Sequence, residues 1–337
     1  MEKIRVAING FGRIGRITLR QLMKNKKMEV VAINDLADNK TLAHLFKYDS
    51  VHRQYQGTVD FDAENLIVDG HSIKILSEKY PAKLPWKTLQ IDVVIEATGN
   101  FVTKNKAMLH VTNAGAKKVI ISAPAKGQSN GVKYIVLGVN DHLIDKKDVI
   151  ISNSSCTTNN VAPLIMILDD LWGVEKGFIT TVHSYTKDQN LLDGPHKDLR
   201  RARAAALSIV PTTTGAAKAA TKIFPHLKNN LGGAGIRVPV PDGSLTDLTC
   251  TLRNPASIEE INKAFKQAAE GKLKGILEYT EDPIVSMDVI GNTHSAIFDA
   301  GLTAVLGDKN KLVKVVAWYD NEMGYSTRLV ELIEKFV

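Results

Sequence analysis

Residues 4–16, IRVAINGFGRIGR, decide the fold. IRVAIN (4–9) is apolar and β-branched and reads as a strand, Gly10, Gly12 and Gly15 form a turn, and a helical run continues to about Lys24 before the strand-like MEVVAIND (28–35). The order strand, glycine turn, helix, strand predicts a βαβ unit. G-x-G-x-x-G is a weak pattern alone, but between a strand and a helix each glycine has a task. The first makes the tight turn, the second lets backbone approach a pyrophosphate, and the third packs helix on strand. The N–H groups of the helix N-terminus then face the phosphates. Asp35 ends the second strand about 20 residues past the last glycine, where a carboxylate accepts hydrogen bonds from a ribose 2′-hydroxyl and repels a 2′-phosphate, favouring NAD over NADP. An isolated aspartate would more simply cap a turn or the next helix; after this turn the cofactor role outweighs that reading.

Further apolar runs bounded by turn residues follow at IDVVIEATG (91–99), KKVIISAP (117–124), YIVLGVN (134–140) and DVIISNSS (148–155), with helical sequence at NKAMLHVTNAG (105–115). They predict an open, mostly parallel sheet. After Cys156 the character changes: CTTNNVAPLIMILDDLWG reads as a loop feeding a long helix. Strands are expected at FITTVHSYT (178–186), GIRVPVP (235–241), SLTDLTCTLR (244–253), SAIFDAG and KLVKVVAWYD, and a helix at SIEEINKAFKQAAEG (257–271). The fold class expected is therefore an α/β doubly wound (Rossmann) domain plus an α+β catalytic domain with a mostly antiparallel sheet. TRLVELIEKFV has apolar residues at helical spacing and is expected to close the chain against the first domain.

A chain of 337 residues exceeds the size of most single cores, which also argues for two domains. With 44% hydrophobic and 23% charged residues it is neither disordered nor fibrous. The net charge of +7 arises from 43 basic and 36 acidic residues interleaved without a long basic block, so a small anionic substrate accounts for it and nucleic acid is not expected as the main partner. Cys156 and Cys250 are too few for a disulfide scaffold and lack zinc-site spacing, so no metal is expected and a reducing compartment is. MEKIRVAING lacks the apolar stretch of a secretory signal, and no run is long enough to span a bilayer; a cytoplasmic, unanchored protein is expected.

In SNSSCTTNN (152–160), Cys156 sits among small polar residues directly before VAPLIMIL. A free thiol, with a pKa of about 8.5, is mostly protonated at neutral pH and needs activation. The start of a helix supplies partial positive charge, and a histidine could supply more. Nine histidines are candidates. His183 follows the strand ITTV, where a strand delivers a side chain to a cleft rim, whereas His44, His52 and His71 lie in the nucleotide half; position alone does not decide. A lone cysteine is usually a small buried residue. The Ser and Thr collar argues against that for Cys156, while Cys250, in LTDLTCTLR, keeps the structural, inert reading. PTTTGAAKAA (211–220) places hydroxyls and a glycine before a helix, suited to an anion or to a simple threonine cap. Arg237, between valines and prolines, would be costly to bury without an anionic partner. LRRAR (199–203) reads equally as a solvated helix face or as part of an anion-attracting wall. A shielded anion site beside a reactive thiol suggests a phosphorylated substrate.

INGFGRIGR, SCTTN, HSYT, PHKDLRRARAAA, PTTTGAAKA, RVPVP and WYDNEMGYS, in this order over essentially the whole chain, resemble the phosphorylating glyceraldehyde-3-phosphate dehydrogenases. The resemblance implies an NAD-binding Rossmann domain over 1–152 and 320–337, a catalytic domain over 153–319, and a homotetramer. It implies Cys156 as nucleophile and His183 as its base. Cofactor contacts carry over to Gly10, Gly12, Arg13, Ile14 and Asp35, with Lys79, Ser122, Asn321 and Tyr325; Asn321 would hold the nicotinamide carboxamide. The substrate phosphate carries over to Thr186 and Arg237, and inorganic phosphate to Ser155, Thr157, Arg201, Thr214 and Gly215. The implied partners are glyceraldehyde 3-phosphate and inorganic phosphate. Cys156 would form a hemithioacetal, His183 would take its hydroxyl proton as hydride leaves for NAD, and phosphate would cleave the resulting thioester.

Two other readings compete: an erythrose-4-phosphate dehydrogenase on the same scaffold, and a non-catalytic NAD-containing RNA-binding or regulatory protein. PHKDLRRAR and PTTTGAAKA favour the triose enzyme, and no aromatic-basic interleaving of an RNA platform is visible. The chain departs from the family's common pattern at Asn160, often a second cysteine, which excludes a local disulfide with Cys156. It departs also at Gly194 in LLDGPHKD, which bears on NAD selectivity, and at Lys79, often arginine.

Overall fold

The computed structural model describes residues 2–127, 131–307 and 310–337. The chain forms two compact units: unit 1 comprises Met1–Ile135, Asp141–Ser154 and Ser326–Val337, and unit 2 comprises Val136–Asn140 and Ser155–Tyr325.

Unit 1 runs β1 (Ile4–Asn9), α1 (Arg13–Leu22), β2 (Met28–Asn34), α2 (Asn39–Lys47), β3 (Val59–Phe61), β4 (Asn65–Val68), β5 (His71–Leu76), β6 (Val93–Glu96), α3 (Lys104–Thr112), β7 (Lys118–Ile121), β8 (Lys133–Tyr134) and β9 (Ile150–Ser152). The sheet order is β3-β4-β5-β2-β1-β6-β7-β9-β8. From β5 to β8 every pairing is parallel, and only β3–β4 and β4–β5 are antiparallel. Consecutive residues of the central strands, such as Val6, Ala7 and Ile8 or Val93, Val94 and Ile95, are wholly buried. Such strands are covered on both faces, which is why they read as unbroken apolar runs. No strand is read from the sequence between residues 36 and 90; β3, β4 and β5 lie there, short and polar at several positions, so their alternation is diluted. YIVLGVN is a strand only to Tyr134. Val136 N–H donates to Asn140 Oδ1 at 2.8 Å and Gly138 has φ 76°, so the apolar run turns instead of extending.

Unit 2 runs α4 (Cys156–Trp172), β10 (Val174–Ser184), β11 (Val210–Thr212), α5 (Ala216–Ile223), β12 (Leu231–Val238), β13 (Ser244–Leu252), α6 (Ile258–Glu270), β14 (Leu277–Thr280), β15 (Ala296–Asp299), β16 (Ala304–Leu306) and β17 (Leu312–Tyr319). The final helix α7 (Met323–Phe336) starts in unit 2, and its residues from Ser326 onward belong to unit 1. The sheet order is β11-β12-β10-β13-β17-β15-β14, with β16 also on β17. It is mixed but mostly antiparallel, β10–β12 and β14–β15 being the parallel pairs. In β13 buried and half-buried residues alternate, as expected of a strand with one face on the core. The core joins Leu164, Ile165 and Leu168 of α4 to Leu248, Val313 and Val315 of the sheet. Phe265 and Phe298 stack at 3.9 Å between centroids. Cys250 belongs to this core, and burial pushes its thiol up to about 12. A capping box, Ser257 with Glu260, starts α6. Among the described residues no helix is long and apolar enough to cross a membrane.

Candidate functional site

In unit 1 the glycine turn leaves the carboxyl end of β1, between β2 and β6. Gly10 has φ 97°, and a Cβ there would lie 2.7 Å from Thr98 N and 2.8 Å from the Ala97 carbonyl carbon. A Cβ on Gly15 would lie 2.2 Å from Gly10 O, so this glycine sets how closely α1 approaches the strand. Around Gly12, by contrast, nothing comes within 4 Å of a built Cβ, and as N-cap it contributes no side-chain acceptor to α1. Room beside an uncapped helix N-terminus is what a pyrophosphate requires. Asp35 is fixed to the turn: the Phe11 N–H donates to its Oδ2 at 2.8 Å and the Ala37 N–H to its Oδ1 at 3.1 Å.

The other residues of the nucleotide half lie around these. Ile14 is part-exposed in the first turn of α1. The Arg13 guanidinium pairs with Asp49. Burial would raise Asp49, but the His52 N–H and Arg13 outweigh it and hold the carboxyl below its usual range. Ser122 follows β7 and donates its N–H to Glu96 O at 3.0 Å. Lys79 is exposed, its ammonium 5.9 Å from the Tyr80 ring centroid.

Beneath the turn lies a buried polar chain that sequence reasoning missed. The Trp86 indole N–H donates to His110 Nδ1 at 3.0 Å, so the ring proton sits on Nε2, 3.0 Å from Glu96 Oε2. Glu96 also accepts from Asn9 Nδ2 at 2.6 Å and the Thr98 N–H at 2.9 Å, and Asn34 Nδ2 donates to Asn9 Oδ1 at 2.7 Å. Side chains at the ends of β1, β2 and β6 are thus tied into one network under the cofactor turn. The only sequence signal was polar residues ending apolar strands.

In unit 2 the helix α4 begins at Cys156 itself, one turn earlier than the loop read from CTTNN. Ser155 is its N-cap: the Thr158 N–H donates to Ser155 Oγ at 3.1 Å. Cys156 therefore occupies the first helical position, and its Sγ lies 3.5 Å from His183 Nε2. His183 is only 5% exposed. Its ladder partner in the parallel pair β10–β12 is Arg237, which brings the two side chains to one face. Arg237 Nη1 lies 2.9 Å from His183 Nδ1 and donates to Ser184 O at 2.8 Å; His183 Nδ1 is itself 2.8 Å from Ser184 O. Burial, reinforced by the Arg237 charge, lowers the imidazole to about 3. Burial also pushes the Cys156 thiol up, against the pull of Arg237 and hydrogen bonds from Thr157, although the residue stays part-exposed. The unassisted thiol is thus protonated and the imidazole neutral. The pair is positioned for proton transfer but not pre-ionised, so burial opposes the helix-activated thiolate expected from the sequence.

The predicted phosphate groups gather on the same side of unit 2. Thr186 and Arg201 both hydrogen-bond Asp188, a residue sequence reasoning missed. Burial would raise Asp188, but Thr186 together with Arg237 and Arg201 holds it below its usual range. Arg201 Nε also donates to Thr212 Oγ1 at 2.9 Å. LRRAR lies in turns instead of a helix, with Arg201 directed inward and Arg203 paired to Asp193. Gly215 is the N-cap of α5 with nothing within 4 Å of a built Cβ, and the Ala216 N–H donates to Thr214 Oγ1 at 3.2 Å. Thr157 is buried and shares a 2.9 Å hydrogen bond with the Tyr319 hydroxyl, which also meets Thr181 Oγ1 at 3.0 Å and whose ring stands edge-on to His183. Tyr319, too, was not singled out by sequence. Asn321 Oδ1 accepts from Ser184 Oγ at 2.9 Å and Ser244 Oγ at 2.7 Å, leaving its amide nitrogen as the donating end. Tyr325 is buried in the first turn of α7. Asn160 is fully buried and donates to Trp318 O at 3.2 Å, tying α4 to β17 where a cysteine could not.

The family model described as the glyceraldehyde 3-phosphate dehydrogenase NAD binding domain matches residues 4–104, and the model described as the C-terminal domain of the same enzyme matches residues 155–321. Among curated proteins, glyceraldehyde-3-phosphate dehydrogenase of Mycobacterium avium is 56% identical over 337 residues, covering 98% of this chain and 97% of the relative. That of Thermotoga maritima is 56% identical over 332 residues, covering 98% of each. Glyceraldehyde-3-phosphate dehydrogenase 2 of Bacillus subtilis is 51% identical over 332 residues, covering 98% of this chain and 96% of the relative.

Proposed function

The chain belongs to the glyceraldehyde-3-phosphate dehydrogenase family, and from that membership we propose that it oxidises and phosphorylates D-glyceraldehyde 3-phosphate to 1,3-bisphosphoglycerate with NAD. The observation that carries the reading is the Cys156 sulfur 3.5 Å from His183 Nε2 at a helix N-terminus, with Arg237 on the far side of the ring. The open Gly12 and the anchored Asp35 carboxylate fit NAD on unit 1. When bound, that cofactor supplies the hydride acceptor.

The residues of this chain do the rest. As Cys156 Sγ bonds the aldehyde carbon, its proton passes to His183 Nε2 and on to the former carbonyl oxygen, giving a hemithioacetal. His183 Nε2 then removes the hydroxyl proton as hydride leaves the carbon, and a thioester remains on Cys156. An imidazole held neutral by burial is able to accept that proton; an imidazolium is not. Arg237 and Thr186 hold the substrate phosphate. Ser155, Thr157, Arg201, Thr214 and Gly215 hold the inorganic phosphate, whose oxygen attacks the thioester and expels the Cys156 thiolate. Asn321, its oxygen fixed by two hydroxyls, offers its N–H₂ to the nicotinamide carboxamide.

A homotetramer in the cytoplasm is part of the same proposal. Supporting it are the exposed apolar side chains Leu191, Leu192, Leu199, Leu207 and Ile209, clustered in one stretch of unit 2 and suited to a second copy. The deciding experiment follows NADH formation from glyceraldehyde 3-phosphate, comparing NAD with NADP and phosphate with none. Continuous turnover with NAD and phosphate, and a single burst without phosphate, are expected. A preference for erythrose 4-phosphate, or no NADH at all, would overturn the proposal.

A further inference from the structure

Glu96, the last residue of β6, is wholly buried and takes no part in the chemistry of Cys156. Its surroundings have a fixed hydrogen-bond polarity. The Glu78 N–H donates to Asn34 Oδ1 at 2.8 Å and Asn34 Nδ2 donates to Glu78 O at 2.9 Å, so that amide has one orientation. Asn34 Nδ2 also donates to Asn9 Oδ1 at 2.7 Å, which turns Asn9 Nδ2 to Glu96 Oε2 at 2.6 Å. On the other side the Trp86 indole N–H makes His110 Nδ1 an acceptor, so Nε2 carries the ring proton and meets the same Oε2 at 3.0 Å. Asn9 Nδ2 and His110 Nε2 lie 3.4 Å apart as two donors sharing one oxygen. Oε1 accepts the Thr98 N–H at 2.9 Å and meets the Thr98 hydroxyl, which accepts the Asn100 N–H at 3.1 Å. Backbone N–H groups and an indole, which only donate, thus set these directions, and both oxygens of Glu96 must accept.

The sheet order β2-β1-β6 places the crevice for a ligand outside the carboxyl ends of β1 and β6, where the order of strands along the sheet reverses. The cofactor turn leaves β1 on one side of that crevice, and residues 97–100 leave β6 on the other. Their backbones abut: a Cβ on Gly10 would lie 2.7 Å from Thr98 N. We propose that Glu96 is a positioning residue for the dinucleotide. Through Oε1 it holds the 97–100 loop, and through the Asn9–Asn34 relay on Oε2 it holds the turn and the Glu78–Lys79 segment in the arrangement that binds NAD. This deepens the proposed function and rests on NAD binding at unit 1. The relay ends beside both adenosine-side groups, since Asn34 precedes Asp35 and Glu78 precedes Lys79. Asn34 O also accepts the Gly10 N–H at 2.8 Å, so a shift at the end of β2 reaches the turn through backbone as well. Glu96 touches no part of the cofactor; it sets the backbone that does.

Glu96→Gln tests this with an almost identical shape. Wherever the new N–H₂ points it faces a donor: the Thr98 N–H on one side, Asn9 Nδ2 and His110 Nε2 on the other. The loops then relax away from the binding arrangement, and the cofactor must restore it. In full-length protein titrated by calorimetry, the Kd for NAD should rise about tenfold and that for AMP at least about threefold, as when only a fraction of molecules is competent to bind. The KM for NAD should rise with the Kd, while kcat at saturating NAD and the KM for glyceraldehyde 3-phosphate stay near wild type. Ile95→Val trims the wholly buried neighbour and is the control for stability loss alone; it should lower Tm and leave NAD affinity unchanged. If Glu96→Gln keeps wild-type affinity for NAD or AMP, or if the two variants weaken NAD in proportion to the Tm each loses, Glu96 is only structural and the inference falls. A kcat that falls with KM unchanged overturns it too. Should Glu96→Gln fail to fold, Thr98→Val decides, because it removes one hydroxyl donor and leaves the Thr98 N–H in place. It should weaken NAD about threefold, the scale of one neutral hydrogen bond, and unchanged affinity refutes the proposal. Wild-type protein that binds no NAD would sink the cofactor reading itself, a different result from wild type and variant binding alike.

Discussion

The glycine turn of unit 1 takes its parts from residues 9–16 and from Asp35 at the end of the next strand, whereas the thiol site of unit 2 takes Cys156 from α4, His183 from β10, Arg237 from β12 and Tyr319 from β17. In the first, backbone makes the site: φ at Gly10, near-contact at Gly15, open space at Gly12. In the second, side chains make it, and ladder register delivers them. His183 and Arg237 face each other because β10 and β12 pair in that register; a slip of one residue would turn Arg237 to the opposite face. Substitutions should therefore act through folding in unit 1 and through chemistry in unit 2.

The largest expected effect attacks the second half of that contrast. In Cys156→Ser, NADH formation from glyceraldehyde 3-phosphate should fall on the order of 10⁴-fold or more, while denaturant stability stays within about 0.5 kcal/mol. Serine is nearly isosteric, and the part-exposed thiol fills no core slot. A Ser variant within tenfold of wild type would remove Cys156 as the nucleophile, and one that unfolds would show that the thiol site is structural after all.

The first half is probed by two neighbouring glycines. Gly15→Ala puts a Cβ 2.2 Å from the Gly10 carbonyl oxygen, and backbone on both sides has no room to yield. A loss of roughly 1–3 kcal/mol or more is expected, as for other overpacked sites. Gly12→Ala meets nothing within 4 Å and has an ordinary φ of −71°. It should keep the wild-type Tm but weaken NAD binding by filling space meant for the pyrophosphate. Calorimetry and NAD titration on both variants decide it; equal Tm losses would erase the distinction drawn between the two glycines.

The same contrast governs what could be read in advance. The turn was legible because a single short stretch specifies it, with glycine types and spacing standing for geometry. The long strands were legible too, from unbroken apolar runs in one sheet and alternation in β13. Cys156 stood out by its collar, but the choice of His183 among nine histidines came from the family resemblance, because a β10–β12 ladder is invisible to local pattern. Tyr319 and Asp188 escaped for the same reason: each matters only through partners more than ten residues away in sequence or in a loop of no regular pattern. β12 was read from residue 235 onward, since the glycines of LGGAG (231–235) carry no strand signal. The early start of α4 went unread because Thr157, Thr158, Asn159 and Asn160 favour turns locally, and the Ser155 cap together with bonds to Tyr319 and Trp318 overrides them.

A smaller effect ties the thiol site back to the fold. His183 is lowered from an unfolded value of 6.5 to about 3, so below pH 6.5 the unfolded chain binds a proton that the folded chain refuses. The contribution is complete above about pH 6.5 and is lost as pH falls toward 3. At pH 5 it amounts to roughly 2 kcal/mol of lost stability. His183→Gln should flatten that acid limb relative to wild type when urea midpoints are compared at pH 7 and pH 5. Parallel limbs would mean that the ring is not held neutral, and with it the base-ready pair would fall.

The smallest effect returns to the turn and asks whether any side chain there acts by charge alone. Asp35 does two jobs: its oxygens accept the Phe11 and Ala37 N–H groups, which fixes the turn, and its charge is proposed to select NAD by repelling a 2′-phosphate. Asp35→Asn separates them. The amide oxygen can still accept from Phe11 while its nitrogen cannot accept from Ala37, so only part of the stability loss of an alanine is expected, and the charge is gone. The ratio of kcat/KM for NADP to that for NAD should rise about tenfold, the equivalent of roughly 1.4 kcal/mol. Asp35→Ala, which also leaves the Phe11 N–H unpaired, should add a stability loss of roughly 1–3 kcal/mol. If Asn behaves like Ala, the carboxylate matters to the turn and not to selection, and cofactor choice must come from elsewhere, with Gly194 the first position to vary. If Asn shifts selectivity alone, then even in the backbone-made half of the molecule recognition rests on one side chain, and the contrast between the units holds for how the sites are built but not for how they discriminate.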